Sequence, residues 1–260
     1  MFNAPLELSS ARILLSNDDG IHAPGLKALE KAVRKICRDV WVAAPESEQS
    51  GAGHSLTLQR PLRLRKLSAR RYAVDGTPTD CILLAVKRVL EKKPPTLVLS
   101  GVNRGGNLGE DMTYSGTIAA AMEATLLGIP AIAFSQVTTD GEPALWSTSI
   151  KHLPQLLKRL TAQSWPRNVL INVNFPDCPA EVVSGIRVVP QGGRKIGSNM
   201  CERVDPNGRP YFWFDSTRVE GKPNINSDLG AIRENAISIT PLNLDLTHKA
   251  AIKNLKKMFS

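Results

Sequence analysis

No run of apolar residues in this 260-residue chain approaches the ~20 that a helix needs to cross a bilayer. The N-terminus, Met1-Phe2-Asn3-Ala4-Pro5-Leu6-Glu7-Leu8, has neither the basic start nor the apolar stretch of a secretory signal. Together these absences lead to the expectation of a cytoplasmic protein with no membrane partner. Cysteine is scarce and dispersed. Cys37, Cys81, Cys178 and Cys201 include no C-x-x-C pair and have no histidines at zinc-finger spacing, which argues against a disulfide framework and a metal knuckle and leaves buried free thiols. The spaced nucleotide motifs are missing too. There is no G-x-x-x-x-G-K-[ST] loop, no RRM or KH pattern, and no G-x-G-x-x-G after the first strand. A P-loop enzyme, a dinucleotide oxidoreductase and a stable nucleic-acid partner are all disfavoured.

What is present is ordinary in bulk. Apolar residues make up 42% and charged residues 22%, the balance of a soluble globular chain long enough for one large domain. The formal charge of +9 fits either a nucleic-acid surface or affinity for small phosphorylated molecules. Its excess is gathered in separate patches, Arg60 to Arg71, Lys87 to Lys93 and Lys249 to Lys257, which more often are solvated faces than binding stripes.

The chain is organised around Arg12-Ile13-Leu14-Leu15-Ser16-Asn17-Asp18-Asp19-Gly20, an apolar run ending in two adjacent carboxylates and a glycine. This reads as a strand delivering acid to a loop, and in an open parallel sheet ligands bind beyond the carboxyl ends of the strands. Taken alone, Asp-Asp-Gly is more often only a turn. The sequence after it shifts that balance. Leu26, Leu29, Val33 and Ile36 recur at helical spacing, and Val40-Trp41-Val42-Ala43-Ala44 forms a second buried strand, giving a β-α-β unit. A polar, glycine-bearing loop, residues 45–55, follows it. Leu56-Thr57-Leu58, Leu62-Arg63-Leu64 and Tyr72-Ala73-Val74 are expected as an antiparallel side ribbon outside the main sheet. Thr77-Pro78-Thr79-Asp80 is a helix start with Thr77 as N-cap and Asp80 as its capping-box partner.

Thr96-Leu97-Val98-Leu99-Ser100 is a third buried strand, trailed by a long glycine-rich loop over 101–114 and an alanine-rich helix opened by Ser115-Gly116-Thr117. Such a helix start offers backbone N–H groups, two hydroxyls and a positive dipole end to an anion, and it is also an ordinary serine cap. Further strands are expected at 129–134 and 168–176, with a helix through Ile150, Leu153, Leu157 and Leu160 between them. Beyond these, strand-like runs at 185–189, 211–214 and 236–240 and a basic helix from about Thr247 cannot bury both faces alone, so they should pack on the core or on a partner subunit.

Three loops on one sheet edge thus carry Asp18, Asp19, Ser50 and Asn103: two carboxylates, a hydroxyl and an amide, the oxygen donors that suit a hard divalent ion. With the anion site at Ser115, Gly116 and Thr117 beside them, the expected ligand is a phosphate bridging metal and helix. His54, in the second loop, is placed either to touch that phosphate or to make a structural hydrogen bond, the commoner role for a lone loop histidine. Asn172 and Asn174, at a strand end, are expected to fix backbone.

The ordered set Ser16-Asn17-Asp18-Asp19-Gly20, Ser50-Gly51-Ala52-Gly53-His54-Ser55-Leu56-Thr57, Asp75-Gly76-Thr77-Pro78-Thr79-Asp80-Cys81, Ser100-Gly101-Val102-Asn103, Asn107-Leu108-Gly109, Tyr114-Ser115-Gly116-Thr117, Asn172-Val173-Asn174-Phe175-Pro176 and Ser238-Ile239-Thr240-Pro241-Leu242 resembles the survival protein SurE family of metal-dependent 5′/3′-nucleotidases. The resemblance spans most of the chain. It implies an α/β, Rossmann-like three-layer core with a mostly parallel sheet, about 11–180, and a β-rich C-terminal extension, about 181–260, that exchanges between subunits in homodimers or homotetramers. It also implies one divalent ion per subunit, Mg²⁺ or Mn²⁺ with Ca²⁺ acceptable, held by Asp18, Asp19, Ser50 and Asn103. Asn107 and Ser115 to Thr117 are then near the phosphate, and Asp18, Asp19 and Asn103 are the catalytic set. Two departures from the family pattern, Ala124 after the helix glutamate and Ser227 before Asp228, fall away from this set. The expected reaction is hydrolysis of a nucleoside 5′- or 3′-monophosphate, with short-chain polyphosphate as a further substrate. The rival reading is a non-catalytic nucleotide- or RNA-binding module.

Overall fold

The structure is a computed structural model that describes residues 1–2, 4–139, 142–196, 200–214, 218–220 and 224–259. Alternation along the first strand, β1 (Arg12–Ser16), sets the layers. Ile13 and Leu15 enter one core, and Leu14 enters the other, as a period of two requires for a strand buried on both faces. Helix α1 (Pro24–Val33) places Leu26, Leu29 and Val33 in the first core. Strand β2 (Asp39–Pro45) returns parallel to β1, completing the β-α-β unit.

The side ribbon is where sequence and structure part. Residues 56–58 form no strand. Strands β3 (Leu64–Ser68) and β4 (Arg71–Val74) are antiparallel to each other, but β4 pairs in parallel with β2. They therefore extend the main sheet instead of standing outside it. Alternation reports that a strand has two unlike faces, but it does not name its hydrogen-bonding neighbour.

Helix α2 (Pro78–Leu84) begins with the expected capping box, Thr77 accepting from the Asp80 N–H and Asp80 accepting from the Thr77 N–H. Strand β5 (Leu97–Arg104) runs further than the expected strand and carries Asn103 at its end. Then come α3 (Gly116–Leu126), β6 (Ala131–Gln136), α4 (Trp146–Thr161) and β7 (Val169–Phe175). Helices α1 and α4 cover one face of the sheet, and α2 and α3 cover the other.

Past residue 180 the chain makes β8 (Gly185–Val188), β9 (Arg194–Ile196), β10 (Met200–Val204), β11 (Pro210–Phe214), β12 (Arg218–Glu220), α5 (Asp228–Arg233), β13 (Ala236–Asn243) and α6 (Lys249–Phe259). The nine-stranded sheet has the order β3-β4-β2-β1-β5-β6-β7-β13-β8, parallel from β4 to β7 and closed by β13 running antiparallel to β7. Two of its strands thus come from the segment expected as an appendage. Outside that sheet are the two-stranded ribbons β10-β11 and β9-β12 and α6, which buries none of its residues within this chain. No helix among the described residues is long and apolar enough to cross a membrane.

Candidate active site

Because β1, β2 and β5 are parallel neighbours, their carboxyl ends share one edge, and the three polar loops emerge there. The loop after β2 is laid on the loop after β1: the Gln49 N–H donates to the Asp18 carbonyl at 2.8 Å and the Ile21 N–H to the Pro45 carbonyl at 2.8 Å. The loop after β5 joins them through the Arg104 N–H, which donates to Asp19 Oδ2 at 3.3 Å. Gly101 makes possible the irregularity within β5, where its register on β6 shifts between Ser100 and Asn103. Its φ is +125°, and a Cβ there would lie 2.2 Å from the Phe134 carbonyl oxygen, so no other residue fits.

Asp18 is buried at the first turn of α3. The Thr117 hydroxyl donates to its Oδ1, and the Gly116 and Thr117 amides also face the carboxylate. The helix N-terminus that the sequence suggests for a phosphate is therefore turned, in this structure, on the protein's own aspartate. Burial still pushes the Asp18 carboxyl up from the usual carboxylate range, against those hydrogen bonds. Asp19 is pushed up to about 7, first by burial and then by the charge of Asp18, with Glu48 adding to it; the Arg104 N–H and side chain act the other way. Among the described residues neither carboxylate is ion-paired with a basic side chain.

Gly116 holds this arrangement by what it lacks. A Cβ there would sit 2.7 Å from Asp18 Cβ and 3.0 Å from Asp18 Oδ2. Gly116→Ala is therefore expected to push Asp18 off its seat, lowering stability by about 1–3 kcal/mol as overpacking does. It should also slow turnover more than an alanine at the exposed Gly193, where a Cβ meets nothing closer than 3.9 Å. Thermal melts and steady-state rates of the two variants check this.

The remaining predicted residues are placed as follows. Asn103 donates its amide to the Gly105 carbonyl at 2.9 Å, shaping its own loop. The Ser50 hydroxyl is exposed and donates to Glu48 Oε1 at 2.8 Å, so it is on the right loop but directed at a third carboxylate. Ser115 caps α3, accepting from the Ile118 N–H at 3.1 Å, which leaves its own proton to donate. Asn107 is buried in a polar hub: its Nδ2 donates to Ser135 Oγ at 2.7 Å, its N–H donates to Asn174 Oδ1 at 2.8 Å, and its carbonyl accepts from Asn172 Nδ2 at 2.9 Å and Asn174 Nδ2 at 3.1 Å. Asn172 and Asn174 thus fix backbone, as a strand-end pair can. His54 lies 2.9 Å from Glu123 Oε2 on α3, which ties it to the scaffold.

Four residues escaped the sequence reading of the site. Arg104 and Glu48 act on Asp19, Glu123 anchors His54, and the buried Asp228 accepts from the Gly109 N–H at 2.8 Å and the Gly192 N–H at 2.7 Å. The last joins the loop after β5 to the C-terminal part. Arg104 was accessible as the one basic residue in that loop, but the partners of the other three lie at least thirty positions away or turn on side-chain direction.

Donor chemistry fits a divalent cation at Asp18 and Asp19. Two neighbouring carboxylates, both raised by desolvation and Asp19 raised further by the charge of Asp18, are the environment that a hard cation neutralises. Among the described residues no three His, Cys, Asp or Glu side chains are grouped to hold a metal, so hydroxyl, amide or water oxygens would complete the set.

Comparison with known proteins gives a consistent result. The family described as Survival protein SurE matches residues 13–198. A Paramagnetospirillum magneticum protein named 5′-nucleotidase SurE is 58% identical over 251 residues, 96% of this chain and 96% of that one. A protein of the same name from Rhodospirillum rubrum is 50% identical over 262 residues and all of both chains. The crystal structure of the SurE protein from Aquifex aeolicus superposes with a TM-score of 0.82 at 39% identity, covering 96% of this chain and 100% of that one.

Proposed function

The chain belongs to the survival protein SurE family, and on that premise we propose that it is a 5′-nucleotidase, a phosphomonoesterase that converts nucleoside 5′-monophosphates to nucleoside and phosphate. The finer reading adds nucleoside 3′-monophosphates and short-chain polyphosphate as substrates and makes activity dependent on one Mg²⁺ or Mn²⁺ per subunit. One observation carries it: at the carboxyl edge of the parallel sheet the buried Asp18 and the half-buried Asp19 are adjacent, and among the described residues neither is ion-paired with a basic side chain.

In this reading Asp18 and Asp19 would hold the divalent ion, with Asn103 and Ser50, from the loops tethered to theirs, completing its oxygen set. The ion supplies charge neutralisation and an acidified water. The chain's own residues do the rest. Thr117 and the first-turn amides of α3 fix Asp18 in one orientation. Asp18 or Asp19 would also be the group that takes a proton from an attacking water. The Ser115 hydroxyl, at the start of α3, and Arg104, whose charge acts on Asp19, would supply the donor and the positive charge that a phosphate oxygen needs. Since the α3 amides face Asp18, the phosphate would bind beside that carboxylate, with Asn107 and its hydrogen bonds holding the loop after β5.

Assembly as a homodimer or homotetramer through the C-terminal part belongs to the same proposal. It is supported by the exposed Phe212, Trp213 and Phe214 on β11 and by the exposed Ile252, Leu255, Met258 and Phe259 on α6, apolar groups that a single copy leaves in water.

The test is phosphate release from 5′- and 3′-nucleoside monophosphates and tripolyphosphate by metal-stripped protein, with and without Mn²⁺ or Mg²⁺. Metal-dependent release is the expected result and ranks the substrates. No release with any metal from folded protein overturns the reading in favour of a nucleotide- or RNA-binding module.

A further inference from the structure

The loop that bears Ser50 has little regular structure of its own to hold it, and we propose that Thr57 and Asp80 form a clamp that sets its position over Asp18. The inference deepens the nucleotidase reading by naming positioning residues for the same site. Asp80 is 2% exposed. A capping box asks only that it accept from the Thr77 N–H, which it does at 2.8 Å, and that its own N–H reach the Thr77 hydroxyl, at 3.2 Å. The same two side chains do more. Asp80 Oδ2 accepts from the Thr57 hydroxyl at 2.6 Å, Oδ1 accepts from the Thr57 N–H at 3.1 Å, and the Thr77 hydroxyl donates to the Ser55 carbonyl at 2.8 Å. These three bonds reach back 22 or 23 residues and add nothing to the helix start.

Their location connects them to the chemistry. The first turn of α2 is packed on the site, since a Cβ at Gly116 would meet Pro78 Cγ at 3.0 Å as well as Asp18. The loop's other tethers are backbone bonds, the Gln49 N–H to the Asp18 carbonyl at 2.8 Å and the Gly53 N–H to the Tyr114 carbonyl at 3.1 Å, plus the pairing of His54 with Glu123. With Gly51 and Gly53 inside it, the segment between Gln49 and Thr57 has wide backbone freedom. A buried carboxylate that fixes both the N–H and the hydroxyl at one end removes much of that freedom. Neither Thr57 nor Asp80 has a place in the oxygen set that the site uses, so their effect runs through the loop.

Thr57→Val deletes the hydroxyl while leaving the Thr57 N–H bond and the Thr77–Asp80 box in place, and Thr57→Ser restores the donor. Amide hydrogen exchange over residues 46–57 reads the clamp without reference to activity. Calorimetric titration with Mn²⁺ alone and steady-state kinetics with a nucleoside 5′-monophosphate read its consequence. In Thr57→Val, exchange over 46–57 is expected to quicken at least fivefold with no change in residues 78–84, and the Mn²⁺ Kd and the KM to rise at least fivefold with kcat within twofold. Thr57→Ser should return all three to the parent values. Unchanged exchange over 46–57, or an equal rise over 78–84, overturns the clamp and leaves Asp80 as a helix cap. An enzyme silent with every metal would overturn the nucleotidase reading, and the exchange result would still decide the clamp.

Discussion

Asp19→Asn is expected to lower metal-dependent phosphate release from nucleoside 5′-monophosphates by about 10²- to 10⁴-fold, the range over which a positioned general base acts, while the protein stays folded. Asparagine keeps the shape and can still accept from the Arg104 N–H, which meets Asp19 Oδ2 at 3.3 Å. What disappears is the negative charge and the proton-accepting oxygen. If Asp19 is both a cation ligand and the base, the loss appears in kcat and in the concentration of Mn²⁺ needed for half-maximal rate. Asp18→Asn is a less clean probe, because Asp18 also accepts from Thr117 and occupies the α3 N-terminus, so its replacement changes packing and chemistry together. Steady-state rates across a Mn²⁺ series, with circular dichroism as the folding control, make the comparison. Turnover within threefold of the parent would remove Asp19 from the mechanism.

Much of this site could be read before its geometry was known, and for a physical reason. An apolar run that stops at two carboxylates, a serine cap and a capping box are local patterns, and local patterns survive folding: β1 does end at Ser16, just before Asp18-Asp19, Ser115 does cap α3, and Thr77 does pair with Asp80. The parallel core was legible because buried strands alternating with amphipathic helices admit few other arrangements. The pairings across long separations were not. Nothing near β4 announces that it will bond to β2, and nothing near β13 says that it will lie antiparallel to β7. Asp18 and Thr117 are 99 residues apart, so the competition between a phosphate and an internal carboxylate for one helix end could be seen only once both were placed. Separations of 69 and 119 residues hid Glu123 behind His54 and Asp228 behind Gly109.

The second large effect concerns stability without metal. A carboxyl raised from 3.8 to about 7 binds its proton more tightly in the folded chain than in the unfolded one. Between those two values the folded state holds more protons, so stability falls as pH rises, and the whole penalty is present above about pH 7. At 1.36 kcal/mol per unit, and with part of the side chain still in water, the Asp19 share is about 2–4 kcal/mol. The groups held below their ordinary values, Asp39, Asp75, Glu7, Glu181 and Asp245, titrate below the window from pH 5.5 to 8 in which Asp19 changes. Metal-stripped protein is therefore expected to melt about 5 °C higher at pH 5.5 than at pH 8, on the few degrees per kcal/mol usual for a chain of this size. Asp19→Asn removes the charge that has to be buried. It should flatten that slope and melt above the parent at pH 8, a variant more stable and far less active than the chain it came from. Mn²⁺ supplies the missing counter-charge, so it should raise the parent's melting temperature more at pH 8 than at pH 5.5 and should do little for Asp19→Asn. A metal-free parent whose melting temperature rises from pH 5.5 to 8, or an Asp19→Asn protein that melts below it at pH 8, would mean that the two carboxylates are already compensated within the fold. The case for a cation between them would then fall.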